Sequence, residues 1–512
     1  MNKKAVILFF PATQPEGYDV GFPWALLHLE RMIRDLDVEL LLIDERLEKD
    51  YEPVIQNTKG RLLFAGVSAI LGYQVVGGMK FSKAIKSITG APVIWGGWFP
   101  TVYPEMALKE DCIDYVCVGQ GEIPFKSFTE RILNQEEVTS VAGIGYKKDG
   151  EITINSNESI INPYSFPPID KSLIDVNKLI DNNGIVPYEN RIFSYIASYG
   201  CPINCSFCCV SLIYKNKWFS KQPLEIIEDL KYFTEKASIS QFLFADDNFF
   251  GSKKFVLDFC QELINSGLEI TWSAQAQVRF FLKHFSDADI RLIYKSGCRR
   301  IIVGAESGDQ ETLDVINKKI DLNETYQILK LLKGYDIRNR IHAMVCLPIN
   351  PEKDFWQTMN MVGNSILIDP SIGVSIKFYK PIPKTDLYEI CIKKGFNPPS
   401  TIHELIDSLF EKNVQPWHNK DYHRLMKYFV NFYFVFANPN SFMAYPLKYR
   451  PLMFVLTLIF HPPVYLRIKL NWMKFPFEAW LFMKIIPTPP EATFVDTKSI
   501  NKTKFLRIFA EK

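Results

Sequence analysis

At 512 residues, 47% hydrophobic and 23% charged, the chain is long enough for two or three globular domains and too apolar for intrinsic disorder. Its net charge of +2 gives no basis for a nucleic-acid partner, and none is expected. Ten cysteines are too sparse and scattered for the disulfide framework of a small secreted domain; four of them crowd into Cys201–Cys209, as metal ligation in a reducing, cytoplasmic compartment would require.

The first apolar run, Ala5 to Phe10, ends at Pro11 with no small-residue cleavage site, so it reads as a buried strand and not as a signal peptide. Strand-like runs follow at 38–44, 62–69, 92–97 and 115–119, with amphipathic helical stretches such as Trp24–Leu36 and Phe81–Ile88 between them. Short, near-continuous apolar strands alternating with helices predict a parallel, doubly wound α/β domain over 1–135, Rossmann-like or flavodoxin-like, with its ligand at the carboxyl ends of the strands. Residues 136–190 are polar and turn-rich, with a hairpin expected over 146–155 around Asp149-Gly150 and prolines at 163, 167 and 168; they read as a linker.

Over 191–385 six strand candidates recur, at 193–198, 241–246, 270–276, 300–306, 340–347 and 373–379. They predict a partial (β/α)6 barrel of the TIM type, again working at its carboxyl edge. Residues 386–512 read as a mostly helical region rich in aromatics, as in 431–436 and 471–482, punctuated by Lys448, Arg450, Arg467, Lys469 and Lys474. Two readings stand: helices that wall the active site, or a surface that touches a membrane or admits a lipid-like substrate. Pro451, Pro462 and Pro463 are expected to prevent one long helix there, and the longest apolar run, Leu452–Phe460, falls short of the ~20 residues of a membrane span.

The chemistry centres on Cys201-Pro-Ile-Asn-Cys205-Ser-Phe-Cys208, placed just after the first strand of the second domain. Zinc would want four ligands in paired short spacings, and no second C-x2-C or H-x3-5-H partner occurs. Three soft thiolates on one loop suit an iron–sulfur cube and leave one iron open to a chelating amine and carboxylate. Purely structural cysteines on a turn are disfavoured by this density.

The run, including Phe207 before the third cysteine, resembles the signature of the radical S-adenosylmethionine (SAM) enzymes. Cys209 lies outside that pattern and is expected to pack. The resemblance implies a [4Fe–4S] cluster on Cys201, Cys205 and Cys208, and reductive cleavage of SAM to methionine and a 5′-deoxyadenosyl radical. The electron would come from an external donor such as a flavodoxin or ferredoxin. By the same resemblance, Asp246 and Asn248 would lie near the methionyl part of SAM, Gln275 and Arg279 follow on the third strand, and Glu306 with Ser307 falls where the family has an acidic ribose contact. Any one strand-end carboxylate is as often a helix cap; their joint order carries the reading.

Residues 1–135 resemble the cobalamin-binding module joined to one branch of this family. The matching residues are Gly21 to Trp24, Ser68 to Ile70, Trp95 to Thr101 with Gly96 and Gly97, Pro104-Glu105, and Gly119 to Glu122. Strand-end glycines let backbone approach a ligand; taken alone Gly96-Gly97 reads better as a tight turn, and it is the rest of the set in order that favours cobalamin. The histidine-bearing D-x-H-x-x-G segment of many cobalamin proteins is absent from Pro11–Glu16, and His28, the first histidine, sits within a predicted helix where a structural role is expected. The cobalt is therefore expected to lack a histidine ligand from this chain. Tyr199 departs from the family's usual arginine. The resemblance implies methylation of an unactivated carbon on a small-molecule or lipid-like substrate. The rivals are a non-methylating oxidative cyclisation or rearrangement, and a non-catalytic cobalamin- or redox-responsive binding protein.

Overall fold

The computed structural model describes residues 3–12, 21–157, 159–182, 192–410, 415–440, 442, 450–470, 472, 475–485 and 494–495. Five parallel strands form the first sheet: β1 (Ala5–Phe10), β2 (Glu39–Asp44), β3 (Leu62–Ser68), β4 (Val93–Gly96) and β5 (Tyr115–Cys117). They run in the order β2-β1-β3-β4-β5. Alternate residues feed two cores, with Phe9, Val67 and Trp95 on one face and Leu8, Phe64 and Ile94 on the other. That is why these strands read as continuous apolar runs, because helices cover both faces.

The expected hairpin forms as β6 (Ile144–Lys148) and β7 (Glu151–Ile154), turning at Asp149 and Gly150, both with positive φ. It pairs antiparallel onto β5 and extends the first sheet, so this part of the stretch read as a linker is sheet edge. Tyr115 and Val116 face Tyr146 and Gly145 across the pair, contacts between positions about thirty apart that composition does not reveal.

The second sheet is parallel in the order β8 (Ile192–Tyr195), β11 (Gln241–Phe244), β12 (Thr271–Ala276), β13 (Cys298–Glu306), β14 (Arg338–Val345) and β15 (Gly373–Phe378), with a short antiparallel strand, Phe494–Val495, on its far edge. It curls into the expected partial barrel. Strand β12 alternates buried Trp272, Ala274 and Ala276 under the helices with half-buried Ser273 and Gln275 on the other face. Between β8 and β11, β9 (Ser198–Gly200) and β10 (Trp218–Ser220) pair antiparallel and bracket the cysteine run.

The two sheets are tied at their carboxyl edges. Gly21 bridges to Ser194 of β8, and Phe22 and Trp24 bury themselves in the barrel core, with the Phe22 ring 5.9 Å from Phe193 and 5.3 Å from Phe233. Lys384, beyond β15, donates to the Thr101 carbonyl at 3.1 Å.

The C-terminal region is helical, as expected, and packs on the barrel, where Trp417 Nε1 and His418 Nε2 lie 2.9 and 2.8 Å from the Cys346 carbonyl. One expectation fails here. Arg450–Lys469 is a single 20-residue helix with Pro462 and Pro463 inside it, and by length and composition alone it is apolar enough to cross a membrane, with a mean hydropathy of 1.4. Pro451 is harmless in the first turn, and the later prolines keep helical φ while depriving the Leu458 and Ile459 carbonyls of their donors on an exposed face. Lys448, Lys474 and residues 13–16 of the first loop lie outside the described residues.

Candidate active site

The cysteine loop is fastened from four directions. Gly200, at φ +83°, starts it; a Cβ there would stand 2.2 Å from the Lys217 carbonyl, so only glycine fits. Asp247 accepts from the Gly200 N–H at 2.9 Å, while Asp246 accepts from the Ser198 hydroxyl at 2.5 Å and the Ala197 N–H at 3.3 Å. Further along, the Ser206 N–H donates to the Ile316 carbonyl at 3.0 Å and the Leu387 N–H to the Ser206 carbonyl at 2.9 Å. Cys208 N–H closes a turn onto the Cys205 carbonyl at 3.0 Å.

Cys201, Cys205 and Cys208 are half-buried free thiols, as is Cys209. Burial pushes all three thiols up, Cys208 to about 12, so thiolate at neutral pH needs a nearby cation. The iron of a bound cluster would supply one, since coordination deprotonates a thiol outright. Among the described residues no group of three His, Cys, Asp or Glu side chains is gathered around a single-ion site. Ligands to three separate corners of a cube stand farther apart than ligands to one ion, and a loop of three soft donors fits the cube. Asn248 adds to the fit: its side chain reaches Cys201, and its Oδ1 is buried with no hydrogen-bond partner.

Glu306 ends β13 at φ +63° after an irregularity in register, and its carboxylate pairs with Lys318 Nζ at 2.7 Å, both groups nearly sealed from solvent. Burial alone would lower the Lys318 ammonium; the charges of Glu306 and Cys205 hold it above its usual value. Lys318 thus sets a buried positive charge that acts on Cys205 and Cys208. The sequence offered no signal for it beyond one lysine among several.

Other predicted residues are engaged elsewhere. Asp246 is buried and committed to the loop, its carboxyl raised by burial to about 7. Ser307 is fully buried, and its hydroxyl donates to Asp354 at 2.6 Å instead of facing outward. Arg279 grips Glu324 with both Nε and Nη2, at 2.8–3.0 Å, in a partly exposed ion pair. Gln275 is half-buried on β12, and Phe207 packs against the barrel core.

In the first domain, Gly97 (φ +96°) is a turn glycine, since a Cβ there would sit 2.7 Å from the Ala69 carbonyl. Around Gly96 and Gly119 the space is open to ordinary contact distance, and Ser68 is half-buried beside Gly96 on the same edge. These residues fit the approach of a large ligand to the carboxyl edge. Glu122 does not face that edge freely. It is buried against His28 Nδ1 at 3.2 Å and Arg31 at 3.6 Å, and those partners hold its carboxylate below the usual range although burial opposes them. His28 Nε2 lies 2.9 Å from the Tyr199 hydroxyl, so both of its ring nitrogens are engaged. Tyr199 therefore couples the cysteine loop to the first domain, stacked between Tyr164 and Tyr214.

A thiol loop clamped at the carboxyl edge of a partial parallel barrel, behind a doubly wound domain, defines an iron–sulfur enzyme of the barrel class. Residues 195–362 match the Radical SAM superfamily, so this part of the chain is a radical SAM domain. It is 25% identical over 408 residues to an uncharacterized methyltransferase of Pyrococcus horikoshii, covering 77% of this chain and 84% of that one. It is 23% identical to the anaerobic magnesium-protoporphyrin IX monomethyl ester cyclase of Rubrivivax gelatinosus, over 56% of this chain and about half (51%) of the relative. The fold matches the radical SAM methyltransferase TsrM of Kitasatospora setae, solved with cobalamin and a [4Fe–4S] cluster, at a TM-score of 0.61 and 16% identity, over 78% of this chain and 76% of that one.

Proposed function

We propose that the chain is a cobalamin-dependent radical SAM enzyme that methylates an unactivated carbon of a small-molecule or lipid-like substrate in the reducing cytoplasm. The carrying observation is the clamped loop of Cys201, Cys205 and Cys208, three free thiols with the orphaned Asn248 Oδ1 beside the first. All ten cysteines are free, which suits that compartment. Support for cobalamin and methylation comes from the open edge at Ser68, Gly96 and Gly119, and from two relatives named as methyltransferases, one of them solved with cobalamin.

When bound, the cluster supplies an electron, SAM the bond to be broken and the methyl group, and cobalamin a methyl carrier. The chain's own work is to hold three irons through the cysteines, to keep Lys318 and Glu306 as a fixed buried dipole behind them, and to shield the site under the C-terminal helices. Asn248, Gln275 and Glu306 are the candidates to orient SAM, and a flavodoxin or ferredoxin would deliver the electron. A second reading, oxidative ring closure with the same cofactors, draws on the relative named as a cyclase.

The test is anaerobic reconstitution with iron, sulfide and a corrinoid, followed by product chromatography. Methylation gives both 5′-deoxyadenosine and S-adenosylhomocysteine; deoxyadenosine alone favours ring closure. Cys205→Ala is expected to lose the cluster absorbance and SAM cleavage while corrinoid still binds. Zinc in place of iron in the wild type, or an intact cluster in the variant, overturns the assignment.

A further inference from the structure

The helix Arg450–Lys469 inverts the usual pattern of a surface helix. Its inward stripe of Met453, Thr457, Val464 and Ile468 is buried, with Ile468 close over Gly363 of the helix Pro351–Ile368. The opposite stripe of such a helix ordinarily carries charge. Here it carries Leu452, Val455, Leu458, Ile459, Leu466 and Leu470, each 39–61% exposed. Just beyond, Trp472, Phe475, Phe477 and Trp480 are also exposed, Phe475 by 81%. Together they present on the order of 1,000 Å² of apolar surface, against ~300–600 Å² for the largest patch of an ordinary monomer.

Charge indicates what covers this face. Residues 448–484 hold six basic side chains, Lys448, Arg450, Arg467, Lys469, Lys474 and Lys484, and a single acidic one, Glu478, in a chain whose net charge is only +2. Glu478 is bound at 2.7 Å by Arg467, itself buried, so this pair cancels and the excess of the segment rests on the other five basic residues. An exposed apolar ridge with tryptophan close by and Lys469 exposed at its end, in a segment of net positive sequence charge, matches the boundary between anionic headgroups and acyl chains.

We infer that this face seats the enzyme on an anionic lipid bilayer, with the helix lying in the interface. It does not cross the membrane. Its inward stripe is occupied by protein, and the Leu458 and Ile459 carbonyls, which Pro462 and Pro463 cannot serve, find donors among water and headgroups but none in hydrocarbon. The helix it rests on, Pro351–Ile368, also carries Asp354 and Thr358, which hold Ser307 and Gly308 at the end of β13. The seat and the barrel mouth are thus joined through one rigid element.

The experiment is flotation of the full-length protein with vesicles of phosphatidylcholine alone or mixed with phosphatidylglycerol. The protein is expected to float with the phosphatidylglycerol vesicles and to be released by salt. The double variant Leu458→Glu, Ile459→Glu should bind roughly tenfold more weakly or less still, with an unchanged circular-dichroism melt. Should that variant fail to fold, Lys469→Glu provides the same reading through charge, again with roughly a tenfold loss. No flotation overturns the inference, and so does flotation of the variants equal to wild type. Extraction by detergent alone would make the helix a span, and a lipid-free dimer split by the double variant would make the ridge a contact between copies; either result overturns it.

Discussion

Lys318 stands twelve positions beyond Glu306, and nothing local marks it. In the fold it is the counter-charge that lets a carboxylate lie buried at the end of β13. Lys318→Met leaves that carboxylate without its cation, which costs about 3 kcal/mol or more, whereas the double variant Lys318→Met, Glu306→Gln removes both charges and recovers most of the loss. Urea unfolding of the two variants beside the wild type measures the difference. The same contrast explains what was legible at this scale. Cys201, Cys205 and Cys208 lie within eight residues of one another, so their spacing alone marks a candidate site. Glu122, Ser307 and Arg279 read as ligand contacts from their order along the chain, and in the fold they hold His28, Asp354 and Glu324, which stand 94, 47 and 45 positions away; spacing carries no record of such pairs. Tyr199 is the extreme case, with its partner 171 positions distant.

At the scale of elements, hydrophobic pattern was sufficient for the parallel strands, because some, such as β1, are buried along nearly their whole length and others, such as β12 and β14, alternate buried and half-buried residues with period two. It failed where exposure reverses the rule. The helix Arg450–Lys469 keeps two prolines because the carbonyls they orphan lie on its exposed side. The helix Pro351–Ile368 shows the converse, a charge buried without a cation at its start. Asp354 is inaccessible to solvent, and burial raises its carboxyl to about 7 while the Ser307 hydroxyl donates to it. In the unfolded chain the same group titrates near 3.9. The folded state therefore holds the proton more tightly, so this contribution to stability is complete below about pH 4 and is lost as pH rises toward 7. Asp354→Asn keeps an acceptor for Ser307 and cannot ionise. Relative to the variant, the wild type should lose roughly 3–4 kcal/mol between pH 4 and pH 7, read from denaturant unfolding at a series of pH values.

For the molecule as a whole, the question is whether the two sheets behave as one body. Their carboxyl edges meet through a Gly21–Ser194 bridge, the His28–Tyr199 contact and the Lys384–Thr101 hydrogen bond, and two aromatics from the first domain, Phe22 and Trp24, are buried in the barrel core against Phe193, Tyr195 and Phe233. The polar links are few and individually worth about 1 kcal/mol. Much of the coupling therefore rests on apolar contacts, in which Phe22 and Trp24 join the barrel core and Ile402 and Leu405 join the core of the first sheet; loss of Phe22 leaves a cavity that the surrounding rings of a finished barrel cannot close. Phe22→Ala should cost about 3–5 kcal/mol of the docking energy without touching either sheet's own strands. Calorimetry of the wild type should show the sheets melting together. In the variant the transition should split, with a corrinoid added to the sample moving only the component that belongs to the first domain. A variant that still melts in one step, shifted as a unit, would mean that the sheets share a cooperative core beyond this ring.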